Sequence, residues 1–167
     1  MNYLDFIKAK KTYKEKSGFK MPDSWVNPNA FDYQSDIIQR AVYEGRYALF
    51  MDTGLGKSLT QLNFNEAVLK HTNKPVLMVA PLAVVYQLEK ESAKFGYELN
   101  RIFKNQDVKK AINITNFDNL KNIDLSQFAG IDIDESSILK SYTGTFKKYI
   151  IEQTKNIRVT LDFLKMK

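Results

Sequence analysis

The chain has 167 residues, with 25 Lys and Arg against 19 Asp and Glu, a formal net charge of +6 and no cysteine. That length suits one domain with a real core, and the composition is that of a globular chain rather than a disordered one. Without cysteine there is no disulfide framework, no thiol nucleophile and no cysteine-bound zinc, so a cytoplasmic setting is the expectation. No run is long and apolar enough to span a membrane, and Met1 to Ile7 lack the positive lead and apolar core of a secretory signal. The isoelectric point near 9.3 suits a polyanionic partner, nucleic acid first, with solvated lysine faces as the alternative. The excess lies at the two ends: Lys8, Lys10, Lys11, Lys14, Lys16 and Lys20 crowd the first, and six further lysines with Arg158 crowd the last thirty residues.

Asp5 to Lys16 reads as a short basic helix with Tyr3, Phe6, Ile7 and Tyr13 as its apolar contacts. Ser17-Gly18, Pro22-Asp23 and Asn27-Pro28-Asn29 then break the chain repeatedly, giving an extended connection packed by Phe19, Met21 and Trp25. Residues 1–30 are therefore a basic lead, and 31–167 the domain proper. Ser35 to Glu44 place Ile37, Ile38, Ala41 and Val42 on one helical face. Gln34, just ahead, has an amide that pairs with a donor and an acceptor together, as the edge of adenine requires; a plain polar cap is the alternative.

An apolar run, Tyr47 to Phe50, leads into Met51-Asp52-Thr53-Gly54-Leu55-Gly56-Lys57-Ser58 and then a helix-compatible segment to about Lys70. This is a strand, a phosphate loop and a helix start. Gly54 and Gly56 let the backbone turn tightly, and the helix N-terminus adds positive potential where a polyphosphate would lie. Thr53, Gly54, Leu55 and Gly56 wrap the phosphates in this reading, Lys57 supplies charge to the β and γ groups, and the Ser58 hydroxyl ligates Mg²⁺. The phosphate-loop template asks for Gly at its first position, where Met51 stands.

Asn73-Lys74-Pro75 punctuates the chain, and Val76 to Ala80 is a continuous apolar run suited to a parallel strand buried on both faces. Pro81 ends it. Val84 to Phe95 is helix-like again, with Val84, Val85, Leu88 and Phe95 inward and Glu89, Lys90 and Glu91 outward. His71 lies between helix and strand and reads as a surface residue without partners. Gly96 to Lys110 shows no clear pattern. Ala111 to Asn116 forms a short strand, and Thr115 and Asn116 at its carboxyl end stand where such sheets meet ligands, or else cap a helix over Phe117 to Leu120.

Gly130 to Asp134 is an apolar strand delivering an acid, the partner a phosphate loop needs, since phosphate-bound Mg²⁺ takes a hard carboxylate opposite Ser58. Asp134 takes that role. Glu135 beside it orients or deprotonates a water, while Asp132 interrupts a run that full burial would keep apolar. Phe146, Tyr149 and Ile150 mark one more amphipathic helix, and Asn156 to Leu161 starts a last strand. Strands and helices alternate throughout, so the expected fold is an α/β, doubly wound parallel sheet with helices on both faces.

The ordered set resembles the first RecA-like lobe of a superfamily 2 helicase or translocase, DEAD/DEAH-like, and in particular phage-encoded members related to the Swi/Snf-type DNA translocases. Asp52 to Ser58 resembles that group's motif I, and Phe31-Asp32-Tyr33-Gln34 its glutamine motif. Ala80-Pro81-Leu82-Ala83-Val84-Val85 with Gln87 is similar to motif Ia. Ile114-Thr115-Asn116-Phe117 is similar to motif Ib, and Asp134-Glu135-Ser136-Ser137 with Ile138-Leu139-Lys140-Ser141 to motif II. The resemblance implies a P-loop NTPase fold, ATP and Mg²⁺ as cofactors, and duplex DNA as partner through Pro81, Leu82, Thr115, Asn116 and Lys140.

Family members continue past this strand into a Ser/Thr-Ala-Thr motif III and a second lobe that carries arginines for the ATP site. Here Val159-Thr160-Leu161 is followed by Asp162 to Lys167. The resemblance therefore implies half of a two-lobed machine that needs a second RecA-like lobe or a partner subunit. An arginine supplied from outside is worth roughly 10³ to 10⁵ in rate in other P-loop systems, so the lobe alone is expected to bind ATP and to hydrolyse it weakly or not at all. The competing expectation is a non-catalytic module that keeps the fold and holds nucleic acid or protein on its basic surface.

Overall fold

The computed structural model describes residues 16–52, 54–134, 148, 152, 157 and 159–164. Among them α1 (Asp32–Glu44), β1 (Arg46–Phe50), α2 (Lys57–Thr72), β2 (Val76–Ala80), α3 (Leu82–Phe95), β3 (Leu99–Arg101), β4 (Ile112–Asn116), β5 (Gly130–Asp134) and β6 (Val159–Leu164) follow in order. The strands form one sheet in the order β1-β6-β5-β2-β4-β3. Every neighbouring pair is parallel, so all carboxyl ends share one edge.

Two apolar clusters sandwich the sheet. On one face Met78, Ile112 and Ile114 meet Ile38, Ala41 and Val42 of α1, Leu62 and Phe64 of α2, and Val85 and Leu88 of α3. On the other, Leu77, Val79, Ile131 and Ile133 meet Phe117, Leu120, Ile123, Leu125 and Phe128. Alternate residues of β2 thus feed opposite faces, which is why all five are buried and the run reads as continuously apolar. Each such Leu, Ile or Val contributes about 1.5–3 kcal/mol relative to an exposed position.

The helix expected over Phe117 to Leu120 is instead a pair of 3₁₀ turns, Leu120–Asn122 and Leu125–Gln127. Bonds from Leu120 N–H to the Phe117 carbonyl and from Ile123 N–H to the Leu120 carbonyl close three-residue rings. They let apolar side chains spaced two to three residues apart all turn inward. The unpatterned stretch after Gly96 contains β3, an edge strand of three residues. The last strand lies later than expected, because Thr160 pairs with Arg46 and Leu164 with Phe50, and β1 on its flank runs on to Phe50.

The lead packs as its apolar residues predict. Met21 is buried, and Phe19 and Trp25 pack against the first cluster. Phe19 N–H donates to the Val42 carbonyl, and Lys16 pairs with Glu44 at 3.3 Å. His71 is not the partnerless loop residue expected: it lies in the last turn of α2 and its ring stacks on Phe19 at 3.7 Å between centroids. The expected basic helix before Lys16 and the amphipathic helix around Phe146 and Tyr149 lie outside the described residues. No helix among the described residues is long and apolar enough to cross a membrane.

Candidate functional site

The carboxyl edge of the sheet can be read in register. Asn116 of β4 pairs with Ala80 of β2, Val79 with Ile133 of β5, Asp134 with Phe163 of β6, and Leu164 with Phe50 of β1. Asn116, the Ala80-Pro81 step, Asp134 and the loop after Phe50 therefore stand in one row. Only β6 separates β1 from β5, so the loop and Asp134 rise from strands roughly 10 Å apart, two strand spacings.

After β1 the chain does what its glycines permit. Gly54 has φ of 86°, and Gly56, with φ of 71° and ψ of 38°, is the left-handed residue that starts α2. Gly56, its N-cap, makes no side-chain hydrogen bond to the helix, so the first N–H groups and the positive end of the dipole face the loop, where an anion would be received. Lys57 and Ser58 are its first two residues, both half-buried. Met51, in the template's glycine position, turns into the first apolar cluster. It anchors the strand end in the core, which accounts for a large side chain at that position.

Gln34 is buried and occupied. Its Oε1 accepts from Phe31 N–H at 2.9 Å, and its Nε2 donates to the carbonyls of Leu55 at 3.1 Å and Gly56 at 3.4 Å. The first bond, with the Gln34 N–H returning to the Phe31 carbonyl, starts α1 three residues ahead of the sequence expectation. The others lash the helix to the loop so tightly that a Cβ at Gly56 would collide with the Gln34 amide. Tyr33 adds a hydroxyl bond to the Leu55 carbonyl at 3.2 Å and stacks beside Phe31, and both rings are exposed. The amide expected to face adenine is thus a brace on the loop in this structure.

Asp134 is 8 % exposed, and its Oδ1 accepts from Gln61 Nε2 at 3.1 Å. One rung down, Asp132 Oδ2 accepts from Asn65 Nδ2 at 2.8 Å. The rungs match because two residues along a strand advance about 6.6 Å and four along a helix about 6.0 Å. Asp132 therefore fits a fully buried strand, which its sequence position alone does not explain. Gln61 and Asn65 escape a reading built on apolar faces. The available signal is that α2 carries amides at 61, 63 and 65 among Leu59, Leu62 and Phe64, opposite a strand with acids two apart.

Further along the edge, Pro81 precedes the first turn of α3 and Leu82 is exposed. Asn116 is half-buried, with its Oδ1 enclosed and without a hydrogen-bond partner among the described residues. Thr115 points into the protein, where its hydroxyl donates to the Ile102 carbonyl at 2.8 Å. Thr53, Glu135 and Lys140 lie outside the described residues.

Together these features define a P-loop α/β lobe: an all-parallel sheet, a two-glycine loop leading to an uncapped helix after β1, and an aspartate ending β5 against that helix. More narrowly, the family described as Type III restriction enzyme, res subunit, matches residues 27–157, and the chain belongs to it. Among solved structures, the UvsW helicase from bacteriophage T4 is similar with a TM-score of 0.70 and 18% identity, over 98% of this chain and 60% of that one. The Sulfolobus solfataricus SWI2/SNF2 ATPase core, solved with double-stranded DNA, is similar with a TM-score of 0.68 and 20% identity, over 87% of this chain and 34% of that one. No curated protein matches. The fold is that of the first RecA-like, ATP-binding lobe of a superfamily 2 helicase, and the chain spans 60% and 34% of these two relatives.

Proposed function

We propose that this lobe binds ATP with Mg²⁺ and, joined to a second RecA-like lobe, couples hydrolysis to movement on duplex DNA. The observation that carries the reading is the uncapped N-terminus of α2, behind Gly54 and Gly56, on the same helix that holds the Asp134 carboxylate through Gln61. An anion receptor and a hard oxygen ligand thereby belong to one rigid unit. Backbone from Thr53 to Gly56 wraps the phosphates, and Lys57 neutralises the outer two. Ser58 and Asp134 would hold Mg²⁺, which withdraws charge from the phosphates when bound.

Glu135, next along the chain, orients the attacking water. Gln34 contacts adenine when nucleotide is bound, beside the loop that its amide braces. Pro81, Leu82 and Asn116 meet the DNA backbone at the far end of the same edge, Lys140 is a further DNA contact, and Thr115 supports that end from within through its bond to Ile102. The basic balance of the chain favours such a partner.

An equilibrium titration with Mg²⁺-ATP, with and without duplex DNA, tests the reading beside Lys57→Ala. Binding that Lys57→Ala weakens at least tenfold is the expected result. Equal binding by both proteins would overturn it. A second reading, a module that holds DNA without using nucleotide, draws on the net charge of +6 and predicts steeply salt-dependent DNA binding indifferent to ATP.

A further inference from the structure

We infer that Gln61 is a positioning residue that fixes the carboxylate of Asp134 for the divalent cation and ties it to the helix that receives the phosphates. The inference rests on the nucleotide-site reading above and goes beyond it, since Gln61 lies outside the loop and the strand that carry the ligands. Its Nε2 donates to one oxygen, Oδ1, of a side chain that is 8 % exposed. Gln61 is itself buried, so the bond is shielded from competing water. Loss of that bond leaves one carboxylate oxygen less firmly oriented, and a metal ligand that must be re-oriented at each binding event binds more weakly.

The position in the helix gives the anchor its meaning. Gln61 is one turn beyond Lys57 and Ser58, so the phosphate receptor and the hold on Asp134 move as one body. The Asn65 to Asp132 rung, with Asn65 Nδ2 also donating to the Gln61 carbonyl at 2.9 Å, fixes the height of α2 against β5. Arrival of the phosphates at the N-terminus of α2 and arrival of the cation at Asp134 are therefore coupled through one side chain. Asn65 keeps the register and does not approach the ligands.

The test compares ATP affinity as a function of Mg²⁺ in the full chain and in Gln61→Met, which keeps length and volume but removes the donor. ATP affinity in EDTA should be unchanged, while the Mg²⁺ concentration for half-maximal enhancement should rise about 10- to 100-fold, the usual cost of losing a residue that orients a metal ligand. Asn65→Met should lower the melting temperature yet leave the Mg²⁺ midpoint within about twofold of wild type. A wild-type midpoint in Gln61→Met would overturn the inference and leave the nucleotide-site reading standing. Absence of any Mg²⁺-dependent ATP binding in the wild-type chain would overturn that reading, and the inference with it. Should Gln61→Met fail to fold, the wild-type Gln61 side-chain amide resonances decide the matter. They should shift on adding ATP with Mg²⁺ and stay in place with ATP in EDTA, and an identical response in both would refute the coupling.

Discussion

The helices α2 and α3 lie side by side on the same face of the sheet, yet they are built on opposite plans. In α3 the division is by face: Val85 and Leu88 go inward, while Leu82 and Tyr86 stay exposed and Glu89 is half-exposed beside Arg101. In α2 nine residues from Leu59 to Val68 are buried, so the helix has no solvent stripe along most of its length. Its amides serve instead as addresses: Gln61 goes to Asp134, Asn65 to Asp132, and Asn63 to the lead. The difference teaches that a helix enclosed on all sides takes its orientation from paired polar groups, whereas a surface helix takes it from an apolar face.

The largest way to break that contrast is to remove apolar volume from the enclosed helix. Phe64 is fully buried between the sheet and the other helices, and Phe64→Ala should cost about 3–5 kcal/mol, read from urea unfolding. Leu82→Ala, on the exposed flank of α3, should stay within about 0.5 kcal/mol of wild type. Near-equal losses would show that α2 is far less enclosed than its burial implies.

The next change tests the addresses themselves. Asn63 accepts from Asn27 N–H at 2.7 Å and donates to the Trp25 carbonyl at 2.9 Å, and Asn27 in turn donates to the Phe95 carbonyl at 3.0 Å. Asn63→Leu keeps the volume and leaves two main-chain groups without partners, at about 1–3 kcal/mol each if they stay dry. The melting temperature should fall, and trypsin should cut faster after Lys16 and Lys20 because the lead loses its pin. Loss of stability with unchanged cleavage would mean that the lead is held by Phe19, Met21 and Trp25 alone.

These residues also mark where the sequence is legible. Gly54, Gly56, Lys57 and Asp134 stand out because the proposed chemistry asks for particular residue types next to strands, and the loop helix is joined to Asp134 through Gln61. Residues 76–80 are legible as a strand because burial on two faces leaves no polar position. The amide ladder is not legible by periodicity, since Gln61 and Asn65 look like solvent residues until Asp132 and Asp134 are set opposite them. The end of β6 is settled by how far β1 and β5 extend, which no local pattern carries. In β3, Asn100 donates to the Asp107 carbonyl and to Asn113, so a short strand is held by side-chain bonds to residues 7 and 13 positions away rather than by its own alternation.

A pH experiment sharpens the comparison at the seam between the two helices. Tyr97 follows the glycine that ends α3, and burial is the main cause that pushes its phenol up from 10.0 to about 12, with nearby Glu66 of α2 adding to the rise and a hydrogen bond with Asn27 opposing it. Between those two values the folded chain keeps a proton that the unfolded chain gives up. Stability from this group is therefore complete below pH 10 and declines as pH climbs toward 12. Tyr97→Phe should flatten that part of the alkaline profile, measured by urea unfolding from pH 9 to 11 with wild type in parallel. An unchanged slope would assign the alkaline loss to other groups.

The smallest effect belongs to the outer side of α3. Gln87 Nε2 donates to Glu91 Oε1 at 2.9 Å across one helical turn, with both residues facing solvent. Geometrically this bond resembles the one between Gln61 and Asp134, an amide on a carboxylate at nearly the same distance. Water competes for every partner at the outer site, so Gln87→Ala should shift stability by no more than about 0.5 kcal/mol in either direction. At the inner site the same pair of groups has no water to fall back on, and its loss is expected to appear both in stability and in the cation dependence of ATP binding. Equal effects at the two sites would mean that enclosure of α2 adds nothing to its polar contacts, and the distinction between the two helix plans would fail.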